Sequence, residues 1–181
     1  IKGNFSHFKQ YLKFYGISSV SGILADFGVS SHQFDTGERG FSTRFEGPLD
    51  MRMNTEATID AAPVLNHYSE EQLIWIFSNY GKLRNAAKLA VQIIEARHVK
   101  KFYNTQQLVD LFAPAFPKHV IHKVMAQIFQ AVRIEVNGEL EVIKTFLLQT
   151  AEILSVEGRL VCISYHSLED RLVKRFIREG R

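Results

Sequence analysis

Two short apolar runs constrain this chain more than anything else in it: Val20-Ser21-Gly22-Ile23-Leu24-Ala25-Asp26-Phe27-Gly28 and Arg159-Leu160-Val161-Cys162-Ile163-Ser164-Tyr165. Each is strand-length, rich in branched residues, and broken by polar or glycine positions, the pattern of a strand buried on both faces. Such strands belong to parallel sheets covered by helices, which predicts an α/β fold. In sheets of that kind ligands gather at the carboxyl ends of the strands. Asp26 stands near the end of the first run, Ser164 and Tyr165 end the second, and His166 follows it.

The stretches around the two runs read mostly as helix. Phe5, Phe8, Leu12 and Tyr15 recur at helical spacing up to a stop at Gly16. Residues 28–58 show no sustained period and predict a long loop with at most short helices, of the kind that carries function. Ser69 and Gln72 form a capping box ahead of Leu73 to Phe77, a helix follows on Ala86, Leu89, Ala90 and Ile93, and Thr105 is the expected cap of Leu108 to Phe112. A further helix is expected from about Glu135 to Leu154, and another over Leu168 to Arg178 with Ser167 as its cap. That order predicts an α/β core in residues 1–50 and 135–181, interrupted by an all-helical insertion over 51–134.

Composition closes off several alternatives. Hydrophobic residues make up 46% of 181, enough for a packed core. The single cysteine, Cys162, excludes an intrachain disulfide and a Cys-rich metal site, and it suits a reducing, cytoplasmic setting. The His residues include no His-x-x-x-His pair, so no metal site is expected. No apolar stretch is long enough to span a bilayer, and none resembles a secretory signal. A net charge of +3 permits a polyanionic partner without requiring one.

Four segments carry the candidate chemistry. Asp26 to Gln33 offers a carboxylate, a close backbone approach at Gly28, and the polar groups of Ser30, Ser31 and Gln33; a strand-to-loop turn whose polar groups satisfy one another explains the same residues. Arg39 and Phe41, then Asp50 to Asn54 with Arg52, alternate cations, aromatics and thioethers that could clamp a splayed base. An ordinary anchored loop, with Arg52 paired to Asp50, is the simpler account of that composition. On a helix, Gln130, Arg133 and Asn137 form a polar stripe, equally the face of a solvated helix. Finally Ser164, His166 and Ser167 place hydroxyls and an imidazole at a strand end and helix start. A serine hydrolase reading of that last group is weak, since no Gly-x-Ser-x-Gly elbow is present.

Together these segments resemble the MraW/RsmH family of bacterial small-subunit ribosomal RNA cytosine-N4 methyltransferases. The strings GILADFGVSSHQFD, ERGFS, GPLDMRMN, FQAVRIEVNGELE and ISYHSLEDRLVKRF carry the likeness, in the family's order and over nearly the whole chain. The resemblance implies a class I, Rossmann-like methyltransferase sheet, present here in part, with an inserted helical substrate-recognition domain. It implies S-adenosylmethionine as cofactor, contacted through Phe5, Asp26 and Gln33. It makes Ile1 to Asn4 the tail of the third sheet strand, residues 23–27 the fourth and residues 160–165 the fifth. The family's first glycine-rich motif would lie upstream of Ile1 and its C-terminal strands beyond Arg181, so the chain is expected to be a fragment. Lys82, Asn54 and Tyr165 depart from the family's usual acid, Asp and Phe.

The implied substrate is the exocyclic amine of a cytidine in 16S ribosomal RNA, met within the small ribosomal subunit, with a homodimer compatible with the sequence. Methylation at a ring carbon generally needs a cysteine adduct, and a lone cysteine inside a strand argues against that route. Asp26 is therefore the expected centre of the catalytic group, with Ser164 and His166 as polar partners; Arg39, Phe41, Arg52, Arg133 and Asn137 are the candidates for holding RNA. A non-catalytic ribosome-binding module on the same scaffold is the alternative.

Overall fold

The structure, a computed structural model, describes residues 3–180. They divide into two compact units, residues 3–28 with 138–180, and residues 29–137. Ile1 and Lys2, half of the expected third-strand tail, lie outside the described residues. Gly3 and Asn4 are not strand; Asn4 instead caps a 3-10 turn over Phe5–His7, its side chain accepting from the Ser6 amide at 2.9 Å.

In the first unit that turn leads into α1 (Phe8–Phe14), which ends where Gly16 turns left-handed at φ 71°. β1 (Val20–Asp26) follows and pairs in parallel with a strand from the far end of the chain, Leu154–Ile163, with Ile23 opposite Leu160 and Asp26 opposite Ile163. The inward side chains of the two strands, among them Ile23, Ala25, Leu160 and Cys162, pack on a core of Phe27, Ile143, Phe146 and Leu147. Phe8 and the helical residues Leu172, Val173 and Phe176 cover the same core. The outward side chains are a correction to the expected double burial: Leu24 is 70% exposed and Val161 53%. Successive strand side chains alternate faces, and only one face meets helices here.

The second unit starts at Val29, not at residue 51. Phe41, Leu49 and Met51 belong to the same core as the helices, and that burial draws the intervening loop into the helical unit. Its helices are α2 (Ser31–Asp35), α3 (Ala61–His67), α4 (Glu70–Asn79), α5 (Ala86–Val99), α6 (Thr105–Phe112) and α7 (Lys118–Asn137). The Ser69 and Gln72 capping box starts α4 as expected. Thr105 is not the cap of α6. Asn104 is, in a box with Gln107, while the buried Thr105 hydroxyl donates to the Phe45 carbonyl and accepts from the Gly47 amide. Arg97 donates to the carbonyls of Leu65 and Tyr68 around the end of α3, satisfying groups a helix leaves open there.

The helix expected from Glu135 is divided in two. Gly138 adopts a left-handed backbone at φ 57°, which ends α7 at Asn137 and lets α8 (Glu139–Ile153) begin afresh. Glu139 and Glu141 then sit in the first turn of α8, where negative charge suits the helix dipole. β2 (Leu154–Ile163) and α9 (Ser167–Glu179) complete the first unit. No helix among the described residues is long and apolar enough to cross a membrane.

Candidate active site

Parallel pairing brings both strand ends of the first unit together. Asp26 lies opposite Ile163, and the Phe27 amide donates to the Ile163 carbonyl at 3.1 Å, so the turn of Ser164, Tyr165 and His166 emerges beside the carboxylate. Asp26 is exposed, and Ser164, the residue after its strand partner Ile163, is half-buried. The neighbouring Asp26 carboxylate holds the Tyr165 phenol above its usual range.

Glu169 fixes the turn. Its carboxylate, 0% exposed, accepts from the amides of Tyr165 at 2.8 Å and His166 at 3.3 Å, and its other oxygen lies 3.3 Å from His166 Nε2. His166, not Ser167, is thus the residue that caps α9. Buried Glu139, at the start of α8, completes a cluster in which ligand-type atoms of Glu139, His166 and Glu169 all lie within 4.8 Å of one another. An imidazole beside two buried carboxylates compensates their charge only in its protonated form. His166 is accordingly part of the turn's internal support.

Phe5 stands on the other side of Phe27. Its ring lies 5.9 Å from that of Phe27 and 5.3 Å from that of Phe146, the latter edge-on, while the residue stays 37% exposed. A ring backed by two others and open on its remaining surface is a platform for a flat heterocycle. Asp26 supplies a hydrogen-bond acceptor at the adjacent strand end. This acceptor and platform chemistry fits an adenosyl group, whose hydroxyls and amine donate. The Cys162 thiol is pushed up by burial, which makes it a poor nucleophile.

The remaining residues picked out from sequence lie in the second unit, and most are spent on its own backbone. Gln33 closes the capping box of α2, its side-chain oxygen accepting from the Ser30 amide at 3.0 Å. Arg39 donates to the Arg52 carbonyl at 2.6 Å and lies 5.7 Å from the centre of the Phe41 ring. Phe41 itself is 3% exposed, a core residue, which corrects the expectation that it stacks on a base. Arg52 makes a two-pronged pair with Asp50 at 2.7 and 2.8 Å and donates to the Ala57 carbonyl, and this guanidinium holds the Asp50 carboxyl below the usual range.

Asn137 is the most heavily used of the group. Its side chain accepts from the Met53 amide at 2.7 Å and donates to the carbonyls of Met51 and Arg133 at 2.7 and 2.8 Å. It therefore ties the end of α7 to the loop where Met51 holds a left-handed φ of 56°. Arg133 is half-buried on α7, and Gln130 donates to the Tyr80 carbonyl at 2.8 Å, so the polar stripe belongs largely to internal bonding.

Sequence reasoning missed Glu139, Glu169 and the closeness of Tyr165 to Asp26. The three-residue spacing of His166 and Glu169 is a capping signal that could have exposed one of them. Nothing local marks Glu139, whose partners lie some thirty residues away.

Comparison with known proteins identifies the family. The family model described as the MraW methylase family matches residues 1–181. A relative from Christiangramia forsetii, named ribosomal RNA small subunit methyltransferase H, is 56% identical over 180 residues, covering 99% of this chain and 60% of the relative. Proteins of the same name from Flavobacterium psychrophilum and Cytophaga hutchinsonii are 53% and 47% identical, with 62% and 61% of their lengths covered. The chain thus spans about 60% of the length of the relatives it matches. It belongs to the MraW methylase family.

Proposed function

We propose that this chain is part of a class I methyltransferase that uses S-adenosylmethionine to methylate N4 of a cytidine in 16S ribosomal RNA, in the cytoplasm and within the small ribosomal subunit. Residues 29–137 act in this reading as the inserted domain that recognises substrate. The observation that carries it is the meeting of Asp26 with the Ser164 to His166 turn at the ends of two parallel strands, where sheets of this class take their ligands. The names of the relatives supply the RNA and the reaction class.

S-adenosylmethionine, when bound, supplies an electrophilic methyl group. The chain's own task is to hold the nucleophile and take its proton. A cytosine amine is weakly nucleophilic because its lone pair is shared with the ring, so alignment matters most, and proximity can contribute about 7–11 kcal/mol. Phe5 would hold the adenine of the bound cofactor, and the Asp26 carboxylate would accept a hydrogen bond from it at the strand end. Tyr165 orients that carboxylate, while Glu169 and His166 keep the turn from relaxing. The base must leave its stack to reach this place.

The test is to incubate the protein with methyl-labelled S-adenosylmethionine and small ribosomal subunits from cells lacking the modification, then to separate the nucleosides. Label in N4-methylcytidine is expected. Label in 5-methylcytidine would overturn the assignment of the amine, and tight subunit binding without label would identify a non-catalytic module.

A further inference from the structure

Arg39, Arg52 and Asn137, first suspected of holding RNA, are bonded to the unit's own backbone, which turns attention to a second surface of the same unit. The chain's nineteen Asp and Glu are unevenly placed: none lies in residues 72–94 and none in 111–134. Those two stretches meet in the structure. Gln127 of α7 donates to the Gly81 and Lys82 carbonyls at 2.9 and 3.4 Å, and Gln130 reaches the Tyr80 carbonyl, so α7 grips the turn between α4 and α5.

Lys82 on that turn holds a left-handed φ of 55°, a conformation costly for a side-chain-bearing residue and maintained here by the surrounding bonds. Lys82, Arg84, Lys88 and Lys123 are all exposed, and none of them makes an ion pair among the described residues. Lys123 stands one helical turn before Gln127, on the same side of α7. Trp75 borders the turn, its ring 4.9 Å from Tyr80 and edge-on to it, and is 51% exposed. The nearest acid in sequence is Glu71, one turn back on α4.

Cations without counter-charges beside an open indole suit an unpaired polynucleotide, in which phosphates and base faces are both accessible. We propose that the α4 to α5 turn, the start of α5 and the exposed side of α7 form an RNA-docking face. Lys82, Arg84, Lys88 and Lys123 meet phosphates there, and Trp75 stacks a base. The proposal rests on the reading of the protein as an RNA methyltransferase, and it names the surface that reads the substrate's backbone.

The test is fluorescence anisotropy with a labelled single-stranded cytidine-containing RNA across a salt series, on the full chain. Replacing Lys82, Arg84 and Lys123 together by Gln is expected to flatten the slope of log affinity on log salt by about 2, since each phosphate contact on a single strand contributes about 0.7. A matched loss of charge at Lys13, Lys174 and Arg178 controls for net charge and is expected to leave the slope as it was. Trp75→Ala is expected to weaken binding about ten-fold with the slope unchanged.

Unchanged affinity and slope in the triple variant would overturn the proposal. So would equal binding of phosphatidylglycerol vesicles together with no effect of Trp75→Ala, which would mark a generic anion-binding face. Methyl transfer to small subunits, measured in parallel, separates the two claims. A wild-type protein that transfers methyl while the triple variant still binds RNA normally defeats the docking face alone; one that binds RNA through this face but transfers nothing defeats the enzyme reading alone.

Discussion

In the helical unit Arg39, Arg52 and Asn137 turn inward to serve the backbone, whereas in the sheet unit Asp26 and Tyr165 stand beside each other at an exposed strand end. The apolar side chains show the same contrast. Phe41, Leu49 and Met51 are sealed inside the helical core, while Leu24 and Val161 on the outer sheet face stay largely exposed. A side chain that gives up such bonds to meet a ligand leaves the carbonyls unsatisfied. Those bonds hold the loop in shape, while the Asp26 carboxylate stays exposed at its strand end.

This contrast can be broken most forcefully at Phe41. Phe41→Ala is expected to cost about 3–5 kcal/mol of stability in denaturant unfolding, the range for emptying a packed aromatic site; a loss below about 1 kcal/mol would mean that the ring is not part of the core. Asn137→Ala should cost about 2 kcal/mol, because it strands the Met53 amide and the Met51 carbonyl at once. If its effect fell on RNA affinity with stability intact, the loop would have to be returned to the candidate binding surface.

A pH series sharpens the same point. Burial, helped by the bond to Glu135, pushes the Tyr68 phenol up to about 12 in the folded helical unit. An unfolded tyrosine titrates near 10, so the stabilisation is complete below pH 10 and is lost as pH rises from there towards 12. Tyr68→Phe should remove that slope from alkaline unfolding curves; a slope that survives the substitution belongs to another group. The smallest effect is expected on the outer sheet face, where Leu24→Ser should change stability by no more than about 0.5 kcal/mol, as at other exposed positions. A larger loss would show that this face is covered in solution.

Local patterns foretold local structure well. Strand-length apolar runs located both strands, and the Ser69 and Gln72 spacing located the start of α4. Errors arose where two local signals competed or where the deciding partner was distant. Asn104 and Thr105 are both capping residues, and only the burial of Thr105 against Phe45 and Gly47 assigns the cap to Asn104. The Asn137 and Gly138 pair is a helix-ending signal, yet it sits inside an apolar period that reads continuously through it.

The double burial expected of the strands failed for a different reason. Leu24, Val161 and Ile163 are apolar whether or not anything packs on them, so composition cannot separate a covered face from an open one. For the candidate site, Asp26 and the turn after β2 were legible from their position at strand ends. Glu139 was not, because its approach to His166 and Glu169 depends on how α8 meets the start of α9. For Arg39, Arg52 and Asn137 the sequence did not reveal the backbone bonds they make, since residue type alone does not tell which carbonyls a side chain will reach.

The most direct measurement is methyl transfer by Asp26→Ala on small ribosomal subunits, with thermal unfolding run on the same preparation. The account predicts that transfer falls roughly a thousand-fold, within the range ascribed to a positioned acid-base group, while the unfolding midpoint stays where it was, since this exposed carboxylate supports no core. Transfer at the wild-type rate by a folded Asp26→Ala protein would contradict it.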